Sequence, residues 1–270
     1  MTREDAPVRP TIQQYTLGKI LLVWAAAAVP MGVLGWRVAP AVAESSGAPV
    51  LARIGVLTVG LVWQGVLVLW LMSQEAGSWR WSELRGRLWL TAPTDPRTDE
   101  PRRSLWWWLV PVSLATAAFD LGAKPVVDAW WTSLFPFLAE PSAWSLNQAL
   151  GTPEARQQLV GAWGTGALYV IQAAFNTFLG EEMLFRGVLL PRMSGVFGKK
   201  DWLANGILFG VYHLHQPWGM LSSALHGVFL FAYPTRRFRS TWFGVVAHSG
   251  QSVFFSILIL LLILGLGGSR

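Results

Sequence analysis

The feature that most constrains the fold is a series of apolar segments, several of which approach the roughly 20 residues that an α-helix needs to cross a bilayer. They occur at about 17–36, 54–73, 105–122, 158–180, 202–214, 218–233 and 241–265. An eighth segment, 124–139, is rich in Trp and Phe and suits a short or interfacial helix. The pattern predicts an all-α, polytopic membrane helix bundle of about seven to eight transmembrane helices.

The composition agrees with a membrane protein. The chain is 53% hydrophobic and only 13% charged, which excludes an ordinary soluble domain. A net charge of +6 would suit a nucleic-acid binder, but the basic residues form short clusters between apolar runs rather than one basic face. The absence of cysteine excludes disulfides, thiolate metal sites and a cysteine nucleophile.

The basic clusters also predict an orientation. They fall in the segments 74–104, 186–201 and 234–240, whereas 124–157 carries few basic residues. The positive-inside rule therefore places the N-terminus and these three segments in the cytoplasm, and the C-terminus outside. We expect an integral protein of the bacterial inner membrane, with N-terminal helices in 1–157 and a core in 158–265 that together form one integrated membrane domain.

The first apolar segment has two interpretations. Small-residue sites near Ala39–Ala43 would suit signal-peptide cleavage. The segment is nevertheless longer than the roughly 7–15 apolar residues of a signal peptide, which favours a retained helix.

Three polar groups interrupt the C-terminal apolar half, and a charge inside a spanning helix costs roughly 2.5–3.5 kcal/mol. The first is Glu181-Glu182 with Arg186, the second is His213, and the third is His248 with Ser252. Residues four apart share a helix face, so Glu182 is expected to pair with Arg186, Phe209 to lie beside His213, and Ser252 to lie one turn beyond His248.

Each of these residues alone has a structural interpretation. A single histidine in an apolar helix often serves as an interhelical hydrogen-bonder, and a Glu–Arg pair often clamps a helix. Together they indicate chemistry, because Glu181 has no basic residue four positions away and is left as a carboxylate suited to activating water. His215 and His226 belong to no such pattern and are expected at a boundary or in packing. The spacing of Gly206 and Gly210 predicts close helix packing.

These motifs resemble those of a known family. The run EEMLFRGVLLPRM (181–193) is similar to the EExxxR motif, FGVYH (209–213) to the FxxxH motif, and AHSGQS (247–252) to the HxxxN/D motif of the CAAX-protease and bacteriocin-processing (CPBP, ABI) family of intramembrane proteases. Their order and spacing agree over roughly 158–260, so the fold, activity and site of that family become expectations for this chain.

The resemblance implies a role for each residue. Glu181 would activate the attacking water with help from His213, and His248 with the residue at 252 would stabilise the oxyanion. Glu182 and Arg186, with Phe209, would support the site. Position 252 is serine where the family more often has Asn or Asp. The loss of one oxyanion donor costs on the order of 10²–10³ in rate, so this departure predicts weakened activity unless water or Gln251 compensates.

Two other hydrolytic mechanisms compete with this one. Two histidines and a glutamate form the ligand set of many zinc sites, so Zn is an alternative cofactor. The chain lacks the HExxH spacing, which favours a mechanism without a required metal or other cofactor. A serine hydrolase lacks support because no GxSxG elbow is present.

The sequence therefore predicts an intramembrane endopeptidase whose partners are the lipid bilayer and a membrane-associated peptide or protein substrate, with no nucleic acid. Prenylated C-terminal peptides, peptide pheromones or bacteriocins, and sorting tails of surface proteins are all open as substrates. The rival is a non-catalytic binding or immunity protein in which Ser252 marks a lost activity. A secondary transporter would need matching inverted halves, which the sequence does not show.

Overall fold

A computed structural model describes residues 11–75, 79–146, 156–157 and 159–266. Parts of three predicted segments lie outside the described residues: 1–10 of the polar N-terminus, 76–78 of the 74–104 loop, and 147–155 with 158 at the expected boundary between the two halves.

Every regular element in these described ranges is helical, as the apolar pattern predicts. The principal helices, with the π turns and, for α4 and α6, the 3₁₀ turns that continue them, are α1 Leu17–Ser46, α2 Pro49–Glu75, α3 Trp81–Arg87, α4 Arg103–Leu134, α5 163–179, α6 181–192, α7 Asp201–Tyr212, α8 220–238 and α9 Trp242–Ile263. A short α-helix at Ser194–Phe197 and 3₁₀ turns at Gly198–Lys200, His213–His215 and Pro217–Gly219 lie between α6 and α8. A helix satisfies its own backbone hydrogen bonds, which lipid cannot do. The all-α fold class is therefore confirmed.

Four of these helices are long and apolar enough to cross a membrane: α1, α2, α4 and α9. The predicted spans 158–180, 202–214 and 218–233 form the shorter or less apolar helices α5, α7 and α8. The count of seven to eight crossings stays a prediction.

The prediction of a separate helix at 124–139 is wrong. Residues 124–134 instead continue the preceding helix through a π turn at Phe119–Ala123, so that α4 runs unbroken from Arg103 to Leu134. Pro125 does not interrupt α4, because it lies in the first turn of the α-helical stretch that follows the π turn, where a proline is tolerated. The segment beyond Leu134 forms only short 3₁₀ turns.

One end of the bundle gathers the basic loops, and we call it the basic end. Here Thr94 N–H donates to the carbonyl of Phe238 at 2.8 Å, and Thr241 N–H donates to that of Trp89 at 2.9 Å. The three segments predicted to share one side of the membrane therefore meet at one end. Two ion pairs join them: Arg236–Asp201 at 2.6 Å and Arg239–Asp99 at 2.5 Å.

Ion pairs also order the loops at this end. The backbone N–H of Arg97 and the guanidinium of Arg102 lower the pKa of Asp95. Deeper in, Arg192 Nε lies 2.8 Å from Glu75 Oε2, and the hydroxyl of Tyr15 also donates to Glu75. The segment before α1 is thus joined to α2 and α6 near the basic end.

At the opposite end, which we call the far end, hydrogen bonds from Arg53 and two tryptophans join the helices. Arg53 Nη2 donates to the carbonyl of His215 at 2.6 Å, and the indole N–H groups of Trp36 and Trp131 donate to the carbonyls of Leu214 and Pro217 at 2.8 and 2.9 Å. The turn after α7 is therefore held by helices from the first half of the chain.

Helices α7 and α8 pack at backbone contact. A Cβ added to Gly206 would overlap the backbone nitrogen of Val228, and one added to Gly210 would overlap Ala224. This contact fits the interpretation of Gly206 and Gly210 as packing residues, since small residues let helix backbones approach closely.

Gly206→Ala is therefore expected to lower the free energy of unfolding by about 1–3 kcal/mol, the usual cost of overpacking. Thermal melting of the purified protein in one detergent measures the change. Gly18→Ala is the matched control, because its added methyl meets nothing within 4 Å. Equal melting temperatures for the two variants would contradict the close contact.

Candidate active site

The two glutamates of the first motif lie deep in the bundle because the helix breaks at Gly180. Helix α5 ends there, with φ −103° and ψ −86° at Gly180, and α6 begins at Glu181. Arg192, at the other end of α6, pairs with Glu75 at the basic end. Glu181 therefore lies at the opposite end of α6 from the basic end.

Glu182 joins the first and third motifs. Its Oε1 lies 3.0 Å from Arg186 Nη1 and 3.1 Å from His248 Nδ1. Glu182 and Arg186 are both fully buried. Arg186 also donates to the carbonyl of Gly227 and lies 4.1 Å above the ring of Phe209, so neither charge faces the apolar interior without a partner.

Glu181 makes a separate set of contacts. The hydroxyl of Tyr212 donates to its Oε1 at 3.0 Å, and Gln64 of α2 donates to that hydroxyl at 2.7 Å. Oε2 of Glu181 is buried and has no hydrogen-bond partner in the described part of the chain. A buried carboxylate oxygen without a partner is costly, and a water molecule is the natural group to satisfy it.

The hydrogen bonds of two histidines define which ring nitrogen carries the proton. Nδ1 of His213 lies 2.8 Å from the carbonyl of Phe209, and Nδ1 of His248 faces the Glu182 carboxylate. A carbonyl or a carboxylate can only accept, so Nδ1 carries the hydrogen in both rings. Nε2 of each neutral imidazole therefore presents a lone pair.

A polar cavity of about 210 Å³ adjoins these histidines. The second and third motifs contribute Phe209, His213, His248 and Gln251 to its lining, with Phe231 from α8 and Asn176 from α5. The ring of Phe209 lies between the two histidines, with centroids 4.8 Å from His213 and 6.1 Å from His248.

The opposite wall of the cavity comes from α4. Thr116, Asp120 and Lys124 contribute it, and Lys124 Nζ lies 2.5 Å from Asp128 Oδ2. This wall is polar although α4 is long and apolar enough to span a membrane.

Two predicted residues lie outside that lining. Glu181 is joined to the cavity through Tyr212, whose ring centroid is 5.0 Å from that of His213. Ser252 lies one turn beyond His248 on α9 and is not among the described lining residues, whereas its neighbour Gln251 is. The carbonyl of Ser252 accepts the hydroxyl of Ser256 at 2.7 Å.

The two remaining histidines differ from each other. His215 is buried in the turn after α7, with its carbonyl bound by Arg53, as expected of a packing residue. His226 instead lines the cavity, with Nε2 3.3 Å from Asp120 Oδ1. It stacks on Phe231, which in turn stacks on His248, with successive centroids 5.4 and 4.9 Å apart.

The donors near the cavity do not fit a three-ligand zinc site. Within the described ranges, no three His, Cys, Asp or Glu residues are grouped so that they can hold a metal ion. The Glu182 oxygen nearest the histidines is already bound by Arg186 and by His248 Nδ1, and Oε1 of Glu181 accepts from Tyr212.

Residues 163–254 match the family described as Rce1-like, type II CAAX prenyl endopeptidase. The match spans about a third of the 270-residue chain and contains all three motifs. No curated protein and no solved structure matches the chain.

The match agrees with the resemblance on which the residue roles depend: residues 163–254 are similar to the CAAX-protease family. The similarity to a CAAX-type peptidase therefore lies in residues 163–254, and four helices of the described chain are long and apolar enough for an integral membrane protein. Bacteriocin processing, immunity and metal dependence gain no support from the match.

Proposed function

We propose that the chain is an intramembrane endopeptidase that hydrolyses a peptide bond of a membrane-associated protein or peptide with water activated by Glu181. One observation carries the proposal: the buried Oε2 of Glu181 has no hydrogen-bond partner among the described residues, while Tyr212 holds Oε1 of the same carboxylate. One oxygen is thus fixed, and the other is free to accept a proton from water.

The reaction follows from that carboxylate. Glu181 accepts a proton from water as the water oxygen bonds to the scissile carbonyl carbon, whose π electrons move to the carbonyl oxygen. When those electrons return, the carbon–nitrogen bond breaks and the proton on Glu181 passes to the leaving nitrogen. The products are a new carboxyl terminus and a free amine, and Glu181 is again a carboxylate.

The histidines orient the reactants in this scheme. His213 presents its Nε2 lone pair, which suits acceptance of the second hydrogen of the attacking water. His248 gives its Nδ1 hydrogen to Glu182, so it can donate to an oxyanion only as an imidazolium. Glu182 and Arg186 hold that ring in place. Because the donors do not fit zinc, we assign no step to a metal.

We propose that the substrate is a lipid-anchored or membrane-inserted peptide. A prenylated C-terminal peptide is the first candidate, since the matched family is described as a prenyl endopeptidase. The test is incubation of the protein in lipid nanodiscs with a farnesylated peptide and with its unlipidated counterpart, followed by mass spectrometry of the products. Cleavage that Glu181→Gln abolishes supports the proposal; a wild-type cleavage rate in that variant would overturn it.

We also propose that the basic end faces the cytoplasm of a bacterial cell, with the N-terminus inside and the C-terminus outside. The concentration of arginines in the loops of one end supports this orientation by the positive-inside rule.

The orientation predicts the labelling of single cysteines in a chain that has none. Thr98→Cys lies exposed at the basic end, and Ser45→Cys lies exposed toward the far end. A membrane-impermeant maleimide is expected to label Ser45→Cys in intact spheroplasts, and Thr98→Cys only after lysis. The reverse pattern would contradict the orientation.

A further inference from the structure

The motif residues His213, His248 and Ser252 supply no obvious donor for the oxyanion. An oxyanion is stabilised by hydrogen-bond donors placed where its charge develops. His213 and His248 present lone pairs there when neutral, because their Nδ1 hydrogens go to Phe209 and Glu182. Ser252 is not among the described lining residues.

Asn176 is placed to fill this gap. It lies in the last turn of α5, five residues before Glu181, and lines the cavity with both histidines. Its Nδ2 is 3.4 Å from Nε2 of His248. A primary amide nitrogen carries two hydrogens, so Asn176 can donate one to the His248 lone pair and still present the other.

In the series of hydrogen bonds from Glu182 through His248 to Asn176, every donor faces an acceptor. Glu182 accepts from Nδ1 of His248, and Nε2 of the same ring accepts from the Asn176 amide. The ion pair of the first motif thereby defines the proton position on His248, and His248 in turn orients the Asn176 amide.

We infer that Asn176 donates the hydrogen bond to the oxyanion, the role that the resemblance would give to position 252. The inference rests on the proposed function and adds to it a catalytic residue outside the three motifs. His248 then acts as a positioning residue for the Asn176 amide.

The kinetic test compares Asn176→Ala and Asn176→Asp with wild type, using Glu181→Gln as the inactive reference. Aspartate keeps the size of asparagine and removes the amide donor. Both variants are expected to lower kcat by about 10²–10³, the cost of one oxyanion donor, with KM within about threefold. Gln172→Ala, which removes an amide one turn earlier in α5 and outside the described cavity lining, is expected to stay within about threefold of wild type in kcat, since it carries no such donor role.

A rescue experiment separates this role from a merely structural one. Adding Ser252→Asn to Asn176→Ala offers an amide at the position where the resemblance expects one, and we expect it to raise kcat at least about tenfold over Asn176→Ala, part of what one donor contributes. A wild-type kcat for Asn176→Ala, with Glu181→Gln inactive, would overturn the inference and leave the proposed function standing.

A spectroscopic test needs no turnover. In ¹⁵N-histidine-labelled protein, with the resonances assigned through His248→Gln, Nε2 of His248 is expected to be unprotonated and to shift in Asn176→Ala. A hydrogen on Nε2 of His248 would overturn the inference whether or not any peptide is cleaved. Wild-type cleavage by Glu181→Gln would instead mark failure of the proposed function.

Discussion

Arg186→Ala is expected to lower the free energy of unfolding by about 3–5 kcal/mol, because it leaves the buried carboxylate of Glu182 without its charge partner. Arg186 is fully buried and also donates to the carbonyl of Gly227, so the substitution removes several interactions of one guanidinium. Denaturant or thermal unfolding in a single detergent measures the loss. Arg97→Ala, in an exposed part of the basic end, is the matched control and is expected within about 0.5 kcal/mol of wild type.

A double substitution sharpens this prediction. Replacing both charges, as in Glu182→Gln with Arg186→Met, removes the unpaired ion and is expected to be less destabilising than Arg186→Ala alone. His248 then loses the carboxylate that accepts its Nδ1 hydrogen, so we expect stability to recover without activity. Equal stability of Arg186→Ala and wild type would show that the pair does not hold the fold.

Glu181→Gln is expected to lower kcat by about 10²–10⁴, the usual contribution of a general base, without a comparable loss of stability. The glutamine carbonyl oxygen still accepts from Tyr212, so that hydrogen bond is kept. The glutamine no longer takes a proton from water at neutral pH. Initial rates with the farnesylated peptide measure the effect, and thermal melting shows that the protein is folded.

The control for this variant is Glu44→Gln, the same substitution at an exposed position of α1. It is expected to match wild type in both rate and melting temperature. A Glu181→Gln protein that is unfolded, rather than folded and inactive, would indicate that Glu181 supports the fold and would remove its assignment as the base.

The sequence predicted the residues that share a helix and missed those brought together from different helices. The i, i+4 spacing indicated that Glu182 and Arg186 would meet, because helix geometry alone sets that distance. It carried no information on which helix faces Glu181. Tyr212 and Gln64 approach Glu181 from α7 and α2, so their part in the site depends on how the helices pack.

The sequence does contain a signal for some of the missed residues, namely a polar residue inside an apolar run. Gln64 and Asn176 are polar residues in the apolar runs 54–73 and 158–180, and a polar side chain inside a membrane segment usually faces a partner or a cavity. His226 was assigned to packing because it has no motif around it. Its contact with Asp120 joins α8 to α4, which local spacing cannot reveal.

The wall that α4 contributes to the cavity has a consequence for how such proteins diversify. Thr116, Asp120 and Lys124 belong to α4, outside the matched residues 163–254, whereas the three motifs lie inside them. Under the proposed function, mutations that reshape this wall would alter which peptide enters while the motif residues stay constant. Two chains with identical motifs would then diverge in their targets, and a comparison of motifs alone would miss the divergence.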